Sequence, residues 1–361
     1  MLGYGRIRGS KFGLDMAPLE PGDVLVKVRA SGLCHTDLEV IQGSLAYPLP
    51  IVLGHEGAGI VEAVGSAVGS VKPGDHVICS WNPHCGHCFY CERAAPILCE
   101  PFTRHQPNGR LLDGSTRMSR NGERVHHYSV TSTHAEYTVV PESGAIAIPK
   151  EMPFDRACII GCGVMTGVGA VVRKARVEPG ASVLVIGCGA VGLNALQGAR
   201  LAGAGTIIAA DVGTAKRERA KAFGATHTID AGAADAVAQV RALTAGRGAD
   251  HVFEAAGHPA AFRLSVEAVR PAGQVVWLGK INVDQDVSFR WGSLMGEKRI
   301  VRSSYGDALP KRDFPWLCAL YLDGKLELDA LITRRIALDE INDGFAGLAR
   351  GEGIRTVIEF A

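Results

Sequence analysis

Residues 182–192, Ser182-Val-Leu-Val-Ile186 followed at once by Gly187-Cys-Gly-Ala-Val-Gly192, decide the fold. The short apolar run reads as a strand of the kind buried on both faces. The Gly-x-Gly-x-x-Gly pattern after it reads as a tight turn that opens a helix. Gly187 permits the turn, Gly189 lets the backbone approach a pyrophosphate, and Gly192 lets the helix pack closely on the sheet. The helix start then offers free N–H groups and a positive dipole end to phosphates. Asp211 closes the next strand, 206–210, at about the twenty-residue spacing that such a turn calls for. Its carboxylate can accept from both ribose hydroxyls and would repel a 2′-phosphate, which points to NAD over NADP. The plainer alternative is a structural glycine turn with an acidic helix cap.

Outward from this turn, strand text alternates with helical text. Helices are expected over 195–202, 216–223, 233–243 and 260–269, and strands over 226–229, 250–255 and 274–278. Alternation at that spacing means βαβ units and a parallel, doubly wound sheet. The text before about Gly161 differs. Residues 24–30 alternate at period two, and short strand-like runs follow, broken by Gly54, Gly57, Gly59 and the Val71-Lys-Pro-Gly-Asp-His-Val77 turn. That is the texture of a β-rich domain. The fold class is therefore α/β, a parallel-sheet domain joined to a β-rich one.

Composition excludes several functions. The chain has 361 residues and a formal net charge of +1, without blocks of like charge. Nothing in that balance favours nucleic acid. No apolar run reads as a membrane span. The start carries Arg6, Arg8 and Lys11 with no apolar run after them, so no cleavable signal is expected and the cytoplasm is the default location. Ten cysteines then need a reason, since disulfides are rare in a reducing compartment.

Four of them give one. Cys85-x2-Cys88-x2-Cys91-x7-Cys99 can wrap one tetrahedral ion with four thiolates, a closed and hence structural zinc site. An iron–sulfur cluster is the rival for such a run. Cys34 in Gly32-Leu-Cys-His-Thr-Asp37, His55 and Glu56 in Gly54-His-Glu-Gly-Ala-Gly59, and Cys162 in Gly161-Cys-Gly-Val-Met-Thr-Gly167 are also metal-ligand types. Spacing alone does not join them.

Together these segments, the glycine turn and the four-cysteine run resemble the zinc-containing medium-chain alcohol dehydrogenases, from about Gly22 to the end of the chain. The resemblance implies a GroES-like catalytic domain over 1–163, a Rossmann NAD-binding domain over 164–304, and a return to the catalytic domain over 305–361. It implies a catalytic zinc on Cys34, His55 and Cys162 with an open fourth position, beside the structural zinc on Cys85, Cys88, Cys91 and Cys99. It assigns Thr36 as the hydroxyl that bonds the substrate oxygen, Asp37 as the carboxylate that orients His55, and Glu56 as an acid beside the zinc. It places Lys216 near the adenosine ribose, Arg355 and His35 near the pyrophosphate, and Thr166 and Val191 near the nicotinamide. Surface charge is the plainer reading of the three cations.

The chain departs from that pattern at Glu39, where many relatives relay the proton through a histidine; a carboxylate is a weaker base there. Residues 1–23 show little strand patterning. Lys280 stands where relatives carry a small apolar residue. Trp81, Leu45 and Tyr128, with Leu278, align with pocket-lining positions, and two aromatics suit an apolar primary alcohol, aromatic or medium-chain. The stretches 113–117 and 131–133 resemble the branch that includes glutathione-dependent formaldehyde dehydrogenases, and Arg104 lies one residue from the position whose charge holds glutathione there. Three functions thus stand at this point: an NAD-dependent alcohol dehydrogenase, a glutathione-adduct dehydrogenase, and a non-catalytic NAD-binding protein. The long 99–128 stretch resembles the dimeric branch and implies a homodimer, with a tetramer as the alternative.

Overall fold

The glycine turn sits where its sequence places it, at the carboxyl end of an inner strand of a six-stranded parallel sheet. The computed structural model describes residues 14–361; the charged start and the expectation of no cleavable signal concern residues 1–13, outside that range. The chain divides into two compact units, one running through Cys162 and resuming over Leu309–Ala361, the other Gly163–Ala308.

The second unit carries the parallel sheet: β1 (Ser182–Ile186), β2 (Thr206–Asp211), β3 (His227–Asp230), β4 (Ala249–Glu254), β5 (Val269–Trp277) and β6 (Arg299–Arg302). Their spatial order is β3-β2-β1-β4-β5-β6. The order reverses between β1 and β4, and the carboxyl ends on either side of such a reversal leave a crevice for a ligand. Helices Ala190–Leu201, Thr214–Ala222, Ala236–Leu243 and Pro259–Ala268 complete the crossovers. Leu184, Ile186, Ile208, Val252 and Val275 form the centre of the core, which is why β1 and the Ile207–Ala210 stretch of β2 read as unbroken apolar runs. The first of these helices begins five residues before the expected Ala195, because its N-cap is Gly189 within the turn itself.

The first unit is β-rich, as expected. Its larger sheet runs Ile332–Ile336, Arg355–Glu359, Asp23–Gly32, Glu56–Val64, His76–Cys79, Ala145–Ala147, with Tyr137–Pro141 also paired to Asp23–Gly32. The period-two text of 24–30 is visible here: Val24, Val26, Val28 and Ala30 are buried, while Lys27 and Arg29 are only partly so. A four-stranded sheet orders Leu14–Met16, Met118–Arg120, Glu123–His127 and Ile51–Val52. The first of these lies in the stretch before Asp23 that shows little strand patterning. Three residues are too few to show a period, and the strand is held by pairing with Met118–Arg120 and by packing of Leu14 on Val52 and Val125.

One helical run bears on the expectation of no membrane span. Phe154–Ala175 is long and apolar enough to cross a membrane, with mean hydropathy 1.4. Arg156, Arg173 and Lys174 near its ends hide it from a search for uncharged runs. Within its apolar window 78% is buried in the protein, which marks it as a core helix.

Candidate active site

Three segments of the first unit bring Cys34, His55 and Cys162 together. The strand Asp23–Gly32 ends two residues before Cys34, which caps the helix His35–Ile41. Asp37, at the third helical position, accepts the Cys34 backbone N–H (3.2 Å) and the Gly54 N–H (3.0 Å), tying the two segments together. His55 Nδ1 lies 3.2 Å from the same carboxylate. A proton on Nδ1 shared with Asp37 leaves the Nε2 lone pair free, the tautomer a metal-ligating imidazole needs. Cys162 arrives on a π-helical turn, Ile160–Val164. Such a turn widens the helix by one residue, and it recurs at functional sites. One ligand atom each from Cys34, His55, Glu56 and Cys162 lies within 4.8 Å of the others.

The electrostatics fit a cation at that point. The two thiols face each other: the hydrogen bond to Cys162 holds Cys34 well below the usual thiol range, and the same contact with burial pushes Cys162 up. Glu56 is fully buried with both carboxyl oxygens lacking a hydrogen bond. Burial pushes it up to about 7 against the pull of Arg355. Arg355 Nη2 lies 3.5 Å from Glu56 Oε1. Arg355 is 7% exposed, so it is no surface charge. It reaches Glu56 because Arg355–Glu359 pairs antiparallel with Asp23–Gly32, which pairs in turn with Glu56–Val64.

Thr36 stands over this cluster, its hydroxyl 3.4 Å from Cys34 Sγ and 3.4 Å from His55 Nε2. Tyr128 stacks edge-on against His55 (5.5 Å) and against Tyr47 (5.0 Å), and it packs with Leu45, Ile51 and Leu53. Burial pushes the Tyr47 hydroxyl up to about 12, and that of Tyr128 up as well, so both stay neutral donors. Ser129, Val130 and Ser132 just beyond Tyr128 hold positive φ. For a β-branched valine that is strained backbone, and such strain persists only where the surroundings enforce it. Here Thr131 Oγ1 donates to the Gly54 carbonyl (3.0 Å) and Ser132 Oγ to that of Val52 (2.9 Å). The strained turn thereby fixes the tyrosine wall against the His55 strand. Trp81 is placed differently: it packs beside Phe102 (6.2 Å) with the cysteine lobe, while Leu45 and Tyr128 share a cluster. Glu39 is partly exposed, and His35 and Arg104 are exposed.

Cys85, Cys88, Cys91 and Cys99 converge within 4.8 Å. Tetrahedral zinc with bonds near 2.3 Å sets its sulfurs about 3.8 Å apart, so one ion fits; a multinuclear cluster needs more room at the centre. The Cys85 N–H points at Cys99 Sγ (3.3 Å) and the Glu100 N–H at Cys88 Sγ (3.4 Å). That second contact draws Cys88 down to about 6, while burial pushes Cys91 up to about 12.

In the second unit the glycine turn is built to admit a ligand. Gly187 has φ +95°, and a Cβ there would lie 2.7 Å from the Ala256 nitrogen. A Cβ on Gly192 would collide with the Gly187 carbonyl. A Cβ on Gly189 would meet no protein atom, and no side chain caps the helix it starts. That open cradle fits a pyrophosphate. Asp211 accepts the Cys188 N–H (2.8 Å) and the Gly213 N–H (2.8 Å), which leaves further lone pairs on each oxygen for ribose hydroxyls. Lys216 is exposed; Val191 and Thr166 are partly buried.

Sequence reasoning missed three residues. Tyr47 is an aromatic two positions after Leu45, a signal within reach. Arg217 donates to the Asp211 (2.7 Å) and Val212 (3.0 Å) carbonyls and pairs with Asp230 (3.4 Å), clamping the ends of β2 and β3; beside exposed Lys216 it reads as one more surface cation. Glu254 is an acid directly after the apolar pair Val252-Phe253 at the end of a strand, which is a signal of a buried carboxylate.

Comparison with known proteins adds to this geometry. Residues 20–150 match the family model for the alcohol dehydrogenase GroES-like domain, and residues 190–323 that for the zinc-binding dehydrogenase domain. The chain is 41% identical over 350 residues to an S-(hydroxymethyl)glutathione dehydrogenase of Escherichia coli, covering 96% of this chain and 95% of the relative. Among solved structures it is similar to an alcohol dehydrogenase zinc-binding domain protein from Burkholderia ambifaria (36% identity, TM-score 0.92, covering 96% and 94% of the two chains). It is also similar to the benzyl alcohol dehydrogenase of Acinetobacter calcoaceticus (34% identity, TM-score 0.91, with the same coverage).

Proposed function

The chain belongs to the zinc-binding alcohol dehydrogenase family, and on that premise we propose that it transfers hydride between NAD and an apolar primary alcohol or its aldehyde, aromatic alcohols foremost. The observation that carries the reading is the convergence of Cys34, His55 and Cys162, with His55 Nδ1 held on Asp37. In this reading those three residues hold the catalytic zinc, and Cys85, Cys88, Cys91 and Cys99 hold the structural one. Zinc, when bound, supplies a Lewis acid that makes an alcohol hydroxyl more acidic. Asp37 fixes the imidazole. The Thr36 hydroxyl, beside Cys34 and His55, accepts the substrate proton and passes it outward. Arg355 and Glu56 neutralise one another behind the thiolates. Tyr128, Tyr47 and Leu45 form an apolar wall on which an aromatic ring stacks. Gly187, Gly189, Gly192 and Asp211 take the pyrophosphate and adenosine ribose, and the first and second units act as catalytic and NAD-binding domains, with boundaries one and four residues from those expected from sequence.

A glutathione-adduct dehydrogenase is the second reading, favoured by the 41% identity to proteins so named. Ten cysteines in the chain, six of them zinc ligands in this reading, support a cytoplasmic location. The exposed Trp291 and Met295, preceding edge strand β6, support a homodimer through that side of the sheet.

The test is NAD reduction by zinc-loaded protein over ethanol, hexanol and benzyl alcohol, and over formaldehyde with and without glutathione. Turnover of benzyl alcohol above ethanol without glutathione is expected. Turnover only of the formaldehyde–glutathione mixture would replace the first reading by the second.

A further inference from the structure

Glu254 is the one fully buried carboxylate of the NAD-binding unit's strand ends that the reading above leaves without a task. It ends β4, in register with Ile186 of β1 on one side and Trp277 of β5 on the other. Its Oε1 accepts the Ala256 N–H (2.9 Å) and the Gly257 N–H (2.7 Å). Its backbone carbonyl accepts the Leu278 N–H (2.8 Å) and the Gly279 N–H (2.9 Å). Its Oε2 is buried without a hydrogen-bond partner and fills the space where a Cβ on Gly279 would stand. A carboxylate buried this deeply is costly unless backbone donors surround it. Burial does push Glu254 up, opposed by the N–H groups of Gly257, Ala256, Gly279 and His258. Glu254 thus draws two turns together, 255–258 after β4 through its carboxylate and 278–280 after β5 through its backbone carbonyl, with the Gly279 N–H also facing the carboxylate. The first of these turns is also the one that Gly187 approaches, with Ala256 against it.

Those turns lie beside the sheet's reversal point. The Gly187 turn follows β1 and Asp211 closes β2, so a dinucleotide with its pyrophosphate at the first and its adenosine at the second must extend its other nucleoside toward β4 and β5. We propose that Glu254 is a positioning residue for the nicotinamide half of NAD: by joining the 255–258 and 278–280 turns it fixes the floor on which that half lies. The inference rests on the reading of this unit as an NAD site. Glu254 touches neither substrate nor cofactor and acts through the two turns.

The experiment measures binding of NAD and, separately, of AMP to the zinc-loaded protein by calorimetry, with no alcohol present, for wild type, Glu254→Gln and Gly279→Ala. The glutamine keeps an acceptor for Ala256 and Gly257 but turns its NH2 toward the N–H groups of Gly279 and His258 that the carboxylate faces; the alanine drives a methyl group onto Oε2, so either variant disturbs the same joint if the other fails to fold. Wild type binds both ligands. Each variant is expected to bind NAD about tenfold more weakly, the effect of leaving a buried polar group badly paired, while AMP binding stays within a factor of two of wild type (roughly the noise of such a difference). A role confined to stability would lower the unfolding temperature and leave this NAD-to-AMP split unchanged. Unchanged NAD binding in a folded variant, or equal loss of NAD and AMP, would overturn the inference. Wild-type protein that binds neither ligand would instead sink the NAD reading on which it rests.

Discussion

The two cysteine clusters of the first unit use the same element of chemistry in opposite ways. Cys85, Cys88, Cys91 and Cys99 come from one fifteen-residue excursion (85–99), with two of their sulfurs met by nearby backbone N–H groups. Cys34, His55 and Cys162 come from three segments, and the end of one strand, the start of another and a π-turn must each be in place before they meet. The first cluster is closed by four thiolates. The second mixes sulfur and nitrogen, has the Thr36 hydroxyl 3.4 Å away and keeps a buried carboxylate behind it. A site that fills its own coordination stabilises a lobe; one that leaves a position for an outside oxygen can do chemistry.

Removing one ligand from each cluster should separate them. His55→Ala or Cys162→Ser is expected to lower kcat/KM about a thousandfold, the upper end for losing an electrostatic stabiliser, with zinc falling from two ions per chain to one by metal analysis. Cys91→Ser should also remove one ion, yet act on stability, lowering Tm by roughly 5–10 °C, while surviving folded enzyme keeps its kcat. Equal effects from both variants would break the contrast.

The charges behind the mixed cluster sharpen it further. Arg355→Met leaves Glu56 buried beside an apolar chain, and chemical denaturation should record a loss of about 3 kcal/mol, as when half of a buried ion pair is removed. The Arg93 guanidinium, stacked on exposed Phe89 in the cysteine lobe, sits in water by contrast, so Arg93→Met should change stability by less than about 1 kcal/mol.

Asp37→Asn keeps the shape but alters the tautomer that Asp37 imposes on His55. Zinc affinity at the mixed cluster should fall about 10- to 100-fold, measured by competition with a chelator, with the four-cysteine ion unaffected.

Away from both clusters, His127 gives a smaller, graded effect. It is fully buried, its Nε2 accepts the Arg117 N–H (3.1 Å), and burial, helped by the Arg117 charge, lowers it to about 3. The folded chain therefore keeps His127 neutral where the unfolded chain binds a proton. Stability from this group is complete above pH 6.5 and declines as pH falls toward 3, by up to about 1.4 kcal/mol per pH unit. Urea unfolding of His127→Gln should show a flatter pH dependence over that window.

How much of this was legible in the sequence follows from the range of each interaction. The parallel sheet was readable because β1, the glycine turn and Asp211 are local signals, each enforced by its own sterics, as the close packing of Gly192 on Gly187 shows. The cysteine lobe was readable for the same reason. Cys34, His55 and Cys162 could be joined only through resemblance, since no spacing rule spans the segments between them. Arg355 was read beside the pyrophosphate; its pairing with Glu56 depends on a strand returning from the chain's end, which no local pattern announces. The strained Ser129–Val130 turn escaped because its conformation is imposed by partners at Gly54 and Val52, far along the chain. Trp81 shows the converse: alignment placed it in the pocket, and packing groups it with Phe102 and the cysteine lobe.

The central claim is that the Cys34, His55 and Cys162 cluster carries the activity while the four-cysteine cluster does not. Graded chelation of the zinc-loaded protein tests it directly, with zinc content and benzyl-alcohol-dependent NAD reduction measured on each sample and each remaining ion located by its loss in Cys162→Ser or Cys91→Ser. Activity should fall in proportion to the ion held by Cys34, His55 and Cys162 and reach zero while the lobe's ion remains. Full activity after that ion has left, or activity that tracks only the four-cysteine ion, would contradict the account.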